Sequence, residues 1–273
     1  MSRLLASAIA ASPLHTESSG QGSPLVLWHG WGMNLRVFDT LRAALNDGWR
    51  SIAVDLPGHG HSSWDDGGDE MLSRLLATLP APASGSPPVT LVGWSLGGQL
   101  ALRAAALAPQ GIARLVLIGT TPRFLRADSW PHGAEASTLH AMQARLATDY
   151  RGAVSDFLEL QVRGSRDAGK VQRALRTAVF GHGAAQPAAL AASLTLLAAT
   201  DLRAQLAAIR LPTLVIAGQY DRVTPAAASA ALAAALPQAT YLEIARAAHA
   251  PFLSHLEQLL PTLRNFINGS RTP

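Results

Sequence analysis

A serine enclosed by glycines is the feature of this 273-residue sequence that most directly indicates chemistry. The run Gly93-Trp94-Ser95-Leu96-Gly97-Gly98 follows the apolar residues 89–92 and precedes a helix-forming stretch. A Gly-x-Ser-x-Gly turn in this position forces the serine into a strained backbone conformation and presents its hydroxyl at the N-terminus of the helix. A Gly/Ser turn that only joins a strand to a helix is the alternative. We predict that Ser95 is a nucleophile.

A serine hydroxyl needs a base to accept its proton and an acid to orient that base. In enzymes with this turn, the acid and then the histidine follow the serine along the chain. Asp221 comes just after the apolar residues 214–218, and we predict that it is the acid. Two other roles are open for Asp221: a cap for the helix predicted to begin near Pro225, and a pair with Arg222.

The base is predicted to be His249, which follows the strand-like residues 241–244 and precedes the last predicted helix. His255 is its rival. Because His255 falls at the start of that helix, we expect it to have a surface or capping role instead.

Negative charge on a substrate carbonyl oxygen requires two fixed N–H donors. We predict that one is the backbone N–H of Leu96, which directly follows the nucleophile. The second is predicted to be that of Trp31, in the turn His29-Gly30-Trp31-Gly32 after an early strand. His29 itself is expected to brace this loop through hydrogen bonds, although a catalytic role for it is the alternative.

The segment Asp55-Leu56-Pro57-Gly58-His59-Gly60-His61-Ser62 places two histidines beside a carboxylate and invites a metal hypothesis. We predict no metal there, because the side chains leave a tight Pro-Gly turn in different directions and no third cluster accompanies them. The Gly-x-Gly-x-x-Gly spacing of a dinucleotide site is absent. We therefore expect no cofactor.

Short apolar runs, each followed by a turn and a helical pattern, are the elements that must position these residues. Strands that alternate with helices predict an α/β fold with a doubly wound, mostly parallel sheet. The predicted strands are residues 24–28, 51–55, 89–93, 115–119, 213–218 and 240–244. The predicted helices between them are residues 37–46, 69–79, 97–108, 225–236 and 255–268.

The alternation is interrupted once, by a stretch with helical periodicity and no convincing strand. Helices are predicted at residues 137–150, 154–163, 168–180 and 187–199. We interpret residues 122–210 as a helical lid inserted into a core formed by residues 1–121 and 211–273.

Composition narrows the class of protein. An apolar fraction of 48% with 15% charged residues predicts a compact globular chain, and a net charge of +4 is too mild to indicate nucleic-acid binding. No apolar run is long enough to span a bilayer, so we expect no membrane partner. Residues 2–13 loosely resemble a signal peptide; a frayed terminus that leads into an edge strand is the favoured alternative.

Together these motifs resemble the α/β-hydrolase superfamily. Within it, the chain is most similar to the pimeloyl-[acyl-carrier protein] methyl ester esterases of biotin synthesis. That similarity rests on Trp31 and Trp94, on Ser129-Trp130-Pro131, on Phe157-Leu158-Glu159-Leu160-Gln161 and on Ala247-Ala248-His249-Ala250-Pro251-Phe252.

The resemblance implies a serine carboxylesterase that releases methanol and a free terminal acid from an acyl chain held on an acidic carrier protein. It implies that the substrate site is lined by Trp31, Trp94, Ser95, Leu96, Phe157, Leu158, Glu159, Leu160, Gln161 and His249. It further implies that basic lid residues hold the carrier, here Arg151, Arg163, Arg166, Lys170, Arg173 and Arg176; an ordinary solvated helix face is the alternative. We expect a cytoplasmic monomer. A broad small-ester carboxylesterase and a carbon–carbon bond hydrolase remain open as activities of the same three residues.

Overall fold

The computed structural model describes residues 12–65, 70–81, 89–107 and 111–269. Most of the segment compared above with a signal peptide lies outside the described residues. The chain beyond it does enter an edge strand, β1, at Thr16–Ser19.

A seven-stranded sheet forms the centre of the described structure, with the order β1-β3-β2-β4-β5-β6-β7. Only β1 runs antiparallel to its neighbour; the other pairs are parallel. The remaining strands are β2 (Ser23–Trp28), β3 (Trp49–Val54), β4 (Val89–Trp94), β5 (Ile112–Ile118), β6 (Thr213–Gly218) and β7 (Ala239–Ile244). The predicted doubly wound, mostly parallel sheet is therefore confirmed.

Helices cover the sheet. Residues 35–38 form a short 3-10 turn that leads into α1, so the helix predicted at residues 37–46 begins in a tighter conformation. The core helices are α1 (Asp39–Leu45), α2 (Glu70–Leu76), α3 (Leu96–Ala106), α8 (Ala226–Ala235), α9 (Pro251–Ser254) and α10 (Leu256–Ile267). Strands β4 and β6 are buried along their whole length, as expected for parallel strands that are covered on both faces.

Four helices follow one another between β5 and β6, and we call them the helical insertion. They are α4 (Ala136–Thr148), α5 (Tyr150–Val162), α6 (Ala168–Gly181) and α7 (Pro187–Ala199). Polar contacts join the insertion to the core: Asn34 Nδ2 donates to the carbonyl oxygen of Ala178, and the N–H of Gln186 donates to that of Gly58.

None of the helices in the described part of the chain combines the length and apolar character that crossing a membrane requires.

Candidate active site

Ser95 lies between β4 and α3 with φ 55° and ψ −115°, a backbone conformation that side-chain-bearing residues rarely adopt. Its neighbours make the turn as tight as this requires. A Cβ at Gly97 would lie 2.1 Å from the carbonyl oxygen of Trp28, and one at Gly93 would lie 2.5 Å from that of Gly97. The N–H of Ser95 donates to the carbonyl oxygen of Ile118 at 2.9 Å. The strain at Ser95 is thus held in place by close backbone packing on both sides.

The acid and the imidazole predicted above form a buried pair. His249 Nδ1 and Asp221 Oδ2 are 2.7 Å apart, and the two side chains are 1% and 0% exposed. The second carboxylate oxygen, Oδ1, accepts the N–H groups of Val223 and Thr224, each at 2.8 Å. Asp221 therefore holds the loop before α8 as well as the histidine, but it makes no side-chain capping hydrogen bond to that helix.

The other nitrogen of the imidazole, His249 Nε2, is buried and makes no hydrogen bond to Ser95 Oγ or to any other described residue. In substrate-free serine enzymes this contact is often long and shortens when the substrate binds. The ring itself is fixed. The backbone N–H of His249 donates to the carbonyl oxygen of Gln161 at 3.0 Å, and a Cβ at Gly119 would lie 2.9 Å from His249 Nδ1.

The loop after β2 approaches the serine closely, because a Cβ at Gly30 would lie 3.3 Å from Ser95 Cβ. Among the described residues, the N–H groups of Trp31 and Leu96 donate no turn or loop hydrogen bond. The N–H of Leu96 is also the first of α3 and so has no acceptor within its helix. Both predicted donors are thus free to bind a substrate oxygen.

Two buried histidines brace this loop. His29 Nδ1 contacts the carbonyl oxygen of Gly30 at 2.8 Å, while its Nε2 accepts the N–H of Leu56 at 3.0 Å. His59 Nε2 accepts the N–H of Gly32 at 3.4 Å. Burial lowers the pKa of His59 to about 4, and burial together with the nearby His59 lowers the pKa of His29 well below its usual value. Both rings are neutral at pH 7 and act as supports, the role favoured above for His29.

Ser95 opens into an apolar cavity between the core and the helical insertion. Trp31 and Phe157 meet there edge to face with ring centroids 5.0 Å apart, and Trp31 Nε1 donates to the carbonyl oxygen of Leu190 at 3.0 Å. The lining residues are Trp31, Ser95, Phe124, Ala134, Thr138, Leu139, Met142, Phe157, Leu160, Leu194, Leu197, Arg222 and Val223. The loop that carries the predicted donor is therefore held directly by the insertion.

Helix geometry separates the predicted substrate-binding residues of α5. Phe157 and Leu160 line the cavity, whereas Leu158 and Gln161 are buried and Glu159 is exposed. Consecutive helical residues point in different directions, so a run of five cannot all face one cavity. Sequence reasoning also missed the apolar lining residues of α4 and α7, since their pattern is that of any buried helix face.

Trp94 lies beneath the cavity and is absent from its lining. The ring packs against His249 and Phe252, with centroids 5.5 and 5.1 Å away, and Trp94 Nε1 donates to the carbonyl oxygen of His249 at 2.9 Å. The structure thus places Trp94 behind the imidazole, where it supports the position of His249.

His255, the rival base, lies away from the carboxylate. It is only 2% exposed, it directly precedes α10, and its Nδ1 contacts Ser254 Oγ at 2.8 Å with no side-chain capping bond. The expected surface role is therefore wrong; His255 occupies the N-cap position of α10, where its backbone carbonyl accepts the N–H of Gln258 but its side chain makes no capping bond.

The six basic residues predicted to hold a carrier are all exposed. Two of them already have carboxylate partners: Arg163 contacts Glu159 at 2.9 Å and Arg166 contacts Glu257 at 3.0 Å. Arg151 and Arg176 lie together over the Phe180 ring, 5.9 and 5.7 Å from its centroid. Four of the cations, Arg151, Lys170, Arg173 and Arg176, have no carboxylate partner among the described residues; we call these four the unpaired cations.

The chain is similar to known proteins over most of its length. Residues 23–256 match the family described as alpha/beta hydrolase fold. The chain is 42% identical over 257 residues to a pimeloyl-[acyl-carrier protein] methyl ester esterase of Stenotrophomonas maltophilia (strain R551-3), covering 94% of this chain and 97% of that protein. It is 40% identical over 250 residues to a protein of the same name from Nitrosomonas europaea, covering 90% and 96%.

Solved structures share the fold. An esterase from Exiguobacterium antarcticum superimposes with a TM-score of 0.85 at 24% identity, over 93% of this chain and 95% of that chain. A bromoperoxidase from Bacillus anthracis gives the same TM-score at 25% identity and the same coverage.

Proposed function

The chain belongs to the alpha/beta hydrolase fold family and, within it, to the pimeloyl-[acyl-carrier protein] methyl ester esterases, and from that premise we propose that it hydrolyses the methyl ester of a pimeloyl chain held on an acyl-carrier protein. The products are methanol and a free terminal carboxylate on the pimeloyl group, which commits that acyl group to biotin synthesis.

The first half-reaction forms an acyl-enzyme. Ser95 Oγ attacks the ester carbonyl carbon while His249 Nε2 takes the hydroxyl proton, and Asp221 stabilises the imidazolium that results. The N–H groups of Trp31 and Leu96 bind the oxyanion. When the tetrahedral intermediate collapses, the C–O bond to the methoxy group breaks and His249 returns its proton, so methanol leaves.

The second half-reaction regenerates the serine. Water attacks the acyl-enzyme carbonyl carbon as His249 Nε2 removes its proton, and the bond to Ser95 Oγ then breaks as the serine oxygen regains a proton from the histidine. The acyl chain leaves as a carboxylic acid, which ionises in solvent.

The observation that carries the proposal is the apolar wall around Ser95. Apart from Ser95 itself, only Thr138 and Arg222 contribute polar side chains to the lining. Such a wall accepts a methylene chain that ends in an uncharged methyl ester. In this proposal residues 122–210 act as a lid over the bound acyl chain.

Growth tests the proposed activity. The gene is expected to restore growth of a biotin-requiring strain that lacks its own methyl ester esterase, whereas the Ser95→Ala variant, produced at the same level, is expected to fail. Rescue by both forms, or by neither, would contradict the proposal.

We place the carrier on the unpaired cations. An acidic protein gains most from cations that have no carboxylate of their own, because those charges are not already neutralised. Arg163 and Arg166 each have such a partner and contribute less net attraction. The docking site thus narrows from six basic residues to Arg151, Lys170, Arg173 and Arg176.

Charge reversal tests this docking site within one protein. Arg151→Glu with Arg176→Glu is expected to raise KM for a carrier-linked ester and to leave small p-nitrophenyl esters almost unchanged, and added salt is expected to diminish the difference as the Debye length falls below about 10 Å. The matched control is Arg163→Glu with Arg166→Glu, for which we expect a smaller effect. Equal losses of activity on both substrates would show that the arginines have a structural role. No change in KM for the carrier-linked ester at low salt would favour a broad small-ester carboxylesterase.

A further inference from the structure

Three histidines and an aspartate meet at a junction that the proposed reaction does not use. His15 precedes β1, Asp55 and His61 follow β3, and His182 directly follows α6 of the helical insertion. These residues are far apart in the sequence, so no local motif reveals the cluster. The segment around Asp55 was expected to lack accompanying ligands, and the fold supplies His15 and His182.

The spacing of the side chains is that of a potential metal site. Ligand atoms of His15, Asp55 and His182 all lie within 4.8 Å of one another. His182 Nε2 is 3.0 Å from Asp55 Oδ2. The ring of His61 covers the same place, with its centroid 4.1 Å from that of His182 and 5.1 Å from that of His15.

One nitrogen in the cluster makes no hydrogen bond within the described structure. His15 Nε2 is buried and makes no hydrogen bond to a described residue. The carboxylate oxygen Glu17 Oε1 lies 3.6 Å from it, beyond hydrogen-bond distance. A buried polar atom without a partner is unfavourable, and a bound cation would satisfy it.

The surrounding structure fixes the ligands and leaves a side open. The side chains of Asp55 and His182 are 0% and 8% exposed, whereas that of His15 is 34% exposed and His61 is exposed. Asp55 Oδ1 accepts the N–H of Leu35 at 2.8 Å, which orients the carboxylate. Preoriented ligands with an entry path are what a metal site requires.

The positively charged guanidinium of Arg36 lies beside the cluster and would repel a bound cation. Arg36 Nε donates to His182 Nδ1 at 3.3 Å. The same guanidinium is also held by Glu17 and Asp39, so it can release the imidazole and remain paired. The ring proton of His182 then moves from Nε2 to Nδ1, and Nε2 becomes a ligand without a net change in protonation.

We propose that His15, Asp55 and His182 bind a divalent transition-metal cation of the Zn²⁺ type, with His61 or water at the open side. Imidazole nitrogens and a carboxylate suit Zn²⁺, whereas Mg²⁺ and Ca²⁺ prefer oxygen ligands alone. The cation joins β1, the end of β3 and the end of α6, so it cross-links the helical insertion to the core. It stabilises the folded state because it binds a site that the unfolded chain does not have.

Thermal unfolding with Zn²⁺ tests the site without reference to ester hydrolysis. The full chain is freed of metal with a chelator and is then titrated with Zn²⁺ or, in parallel, with Mg²⁺. We expect a melting temperature higher by about 5–10 °C at hundredfold saturation with Zn²⁺, and no rise with Mg²⁺. Hydrogen exchange in α6 is expected to slow when Zn²⁺ is bound.

Three variants decide whether these residues are responsible. His15→Gln removes a side chain whose other contacts are the 3.6 Å approach to Glu17 and ring contacts with His61 and His182. His182→Gln keeps an N–H donor for Asp55. Both variants are expected to lose the Zn²⁺ shift. His140→Gln, exposed on α4, is the matched control and is expected to keep it. The proposal is overturned if the wild type shows no shift, or if His15→Gln retains it. In either case the cluster is a histidine–carboxylate contact between insertion and core.

Discussion

Ser95 has a strained backbone conformation and lies where its hydroxyl reaches the cavity. Its left-handed φ is imposed by the packing of Gly93 and Gly97, so the hydroxyl reaches the cavity without any rearrangement of the backbone. The imidazole beside it is oriented by a carboxylate that is itself fixed by two N–H groups. In the proposed mechanism, the chemistry depends on three side chains whose freedom was removed during folding.

Replacement of Ser95 by alanine is expected to abolish ester turnover, with a loss of about 10³-fold or more, because no other group supplies the attacking oxygen. The melting temperature is expected to stay near that of the wild type. Steady-state kinetics and thermal unfolding of the same preparation check both statements. Activity close to wild type would exclude Ser95 as the nucleophile.

The carboxylate at position 221 can be tested against an aspartate with a different role. Asp221→Asn is expected to remain folded and to lose turnover by orders of magnitude, because an amide cannot stabilise the imidazolium. Asp201→Asn is the matched control, since Asp201 pairs with Arg123 and Arg203 outside the cavity lining. Comparable losses in the two variants would show that the assignment of the acid is wrong.

At the scale of elements, the sequence predicted most of the helices and strands because buried parallel strands and amphipathic helices leave strong periodic signals. It also led to Ser95, Asp221 and His249, which lie in turns after strands. The residues of the cavity wall were harder to predict from the sequence. Leu139 and Met142 belong to α4, and Leu194 and Leu197 belong to α7, whose sequence is apolar on nearly every side; only the packed structure shows which residues meet the serine. The His15–Asp55–His182 cluster was missed because tertiary contacts alone bring it together.

The tight contact between α3 and β2 yields an element-scale prediction. Gly97→Ala places a Cβ 2.1 Å from the carbonyl oxygen of Trp28, so the free energy of unfolding is expected to fall by about 2–3 kcal/mol. Gly181→Ala, on α6, meets nothing within 4 Å and is expected to be neutral or stabilising by up to about 1 kcal/mol. Denaturant unfolding of both variants makes the comparison. A Gly97→Ala variant as stable as wild type would contradict this account of the turn.

For the whole molecule, the neutral histidines that brace the loop after β2 make stability depend on pH. His59 has a pKa of about 4 in the folded protein against 6.5 for an ordinary histidine, so between these values the unfolded chain binds more protons. The free energy of unfolding is therefore expected to fall as the pH drops through this window, by up to about 1.4 kcal/mol per pH unit from His59.

Denaturant unfolding between pH 7 and pH 4.5 measures that slope. His59→Gln is expected to flatten it, although the variant starts from a lower stability because its support of Gly32 is altered. His140→Gln, on the exposed face of α4, is expected to keep the wild-type slope. An unchanged slope in His59→Gln would mean that this ring does not carry the acid sensitivity.

Hydrolysis of a methyl-pimeloyl chain attached to an acidic acyl-carrier protein, followed by mass spectrometry of the carrier, tests whether the molecule is a carrier-dependent esterase. We predict Ser95-dependent loss of the methyl group with the thioester intact. We also predict a kcat/KM at least about tenfold above that for the free methyl ester, because docking on the helical insertion adds binding energy that the small substrate lacks. Cleavage at the thioester, or equal kcat/KM for the carrier-linked and free esters, would contradict this proposal.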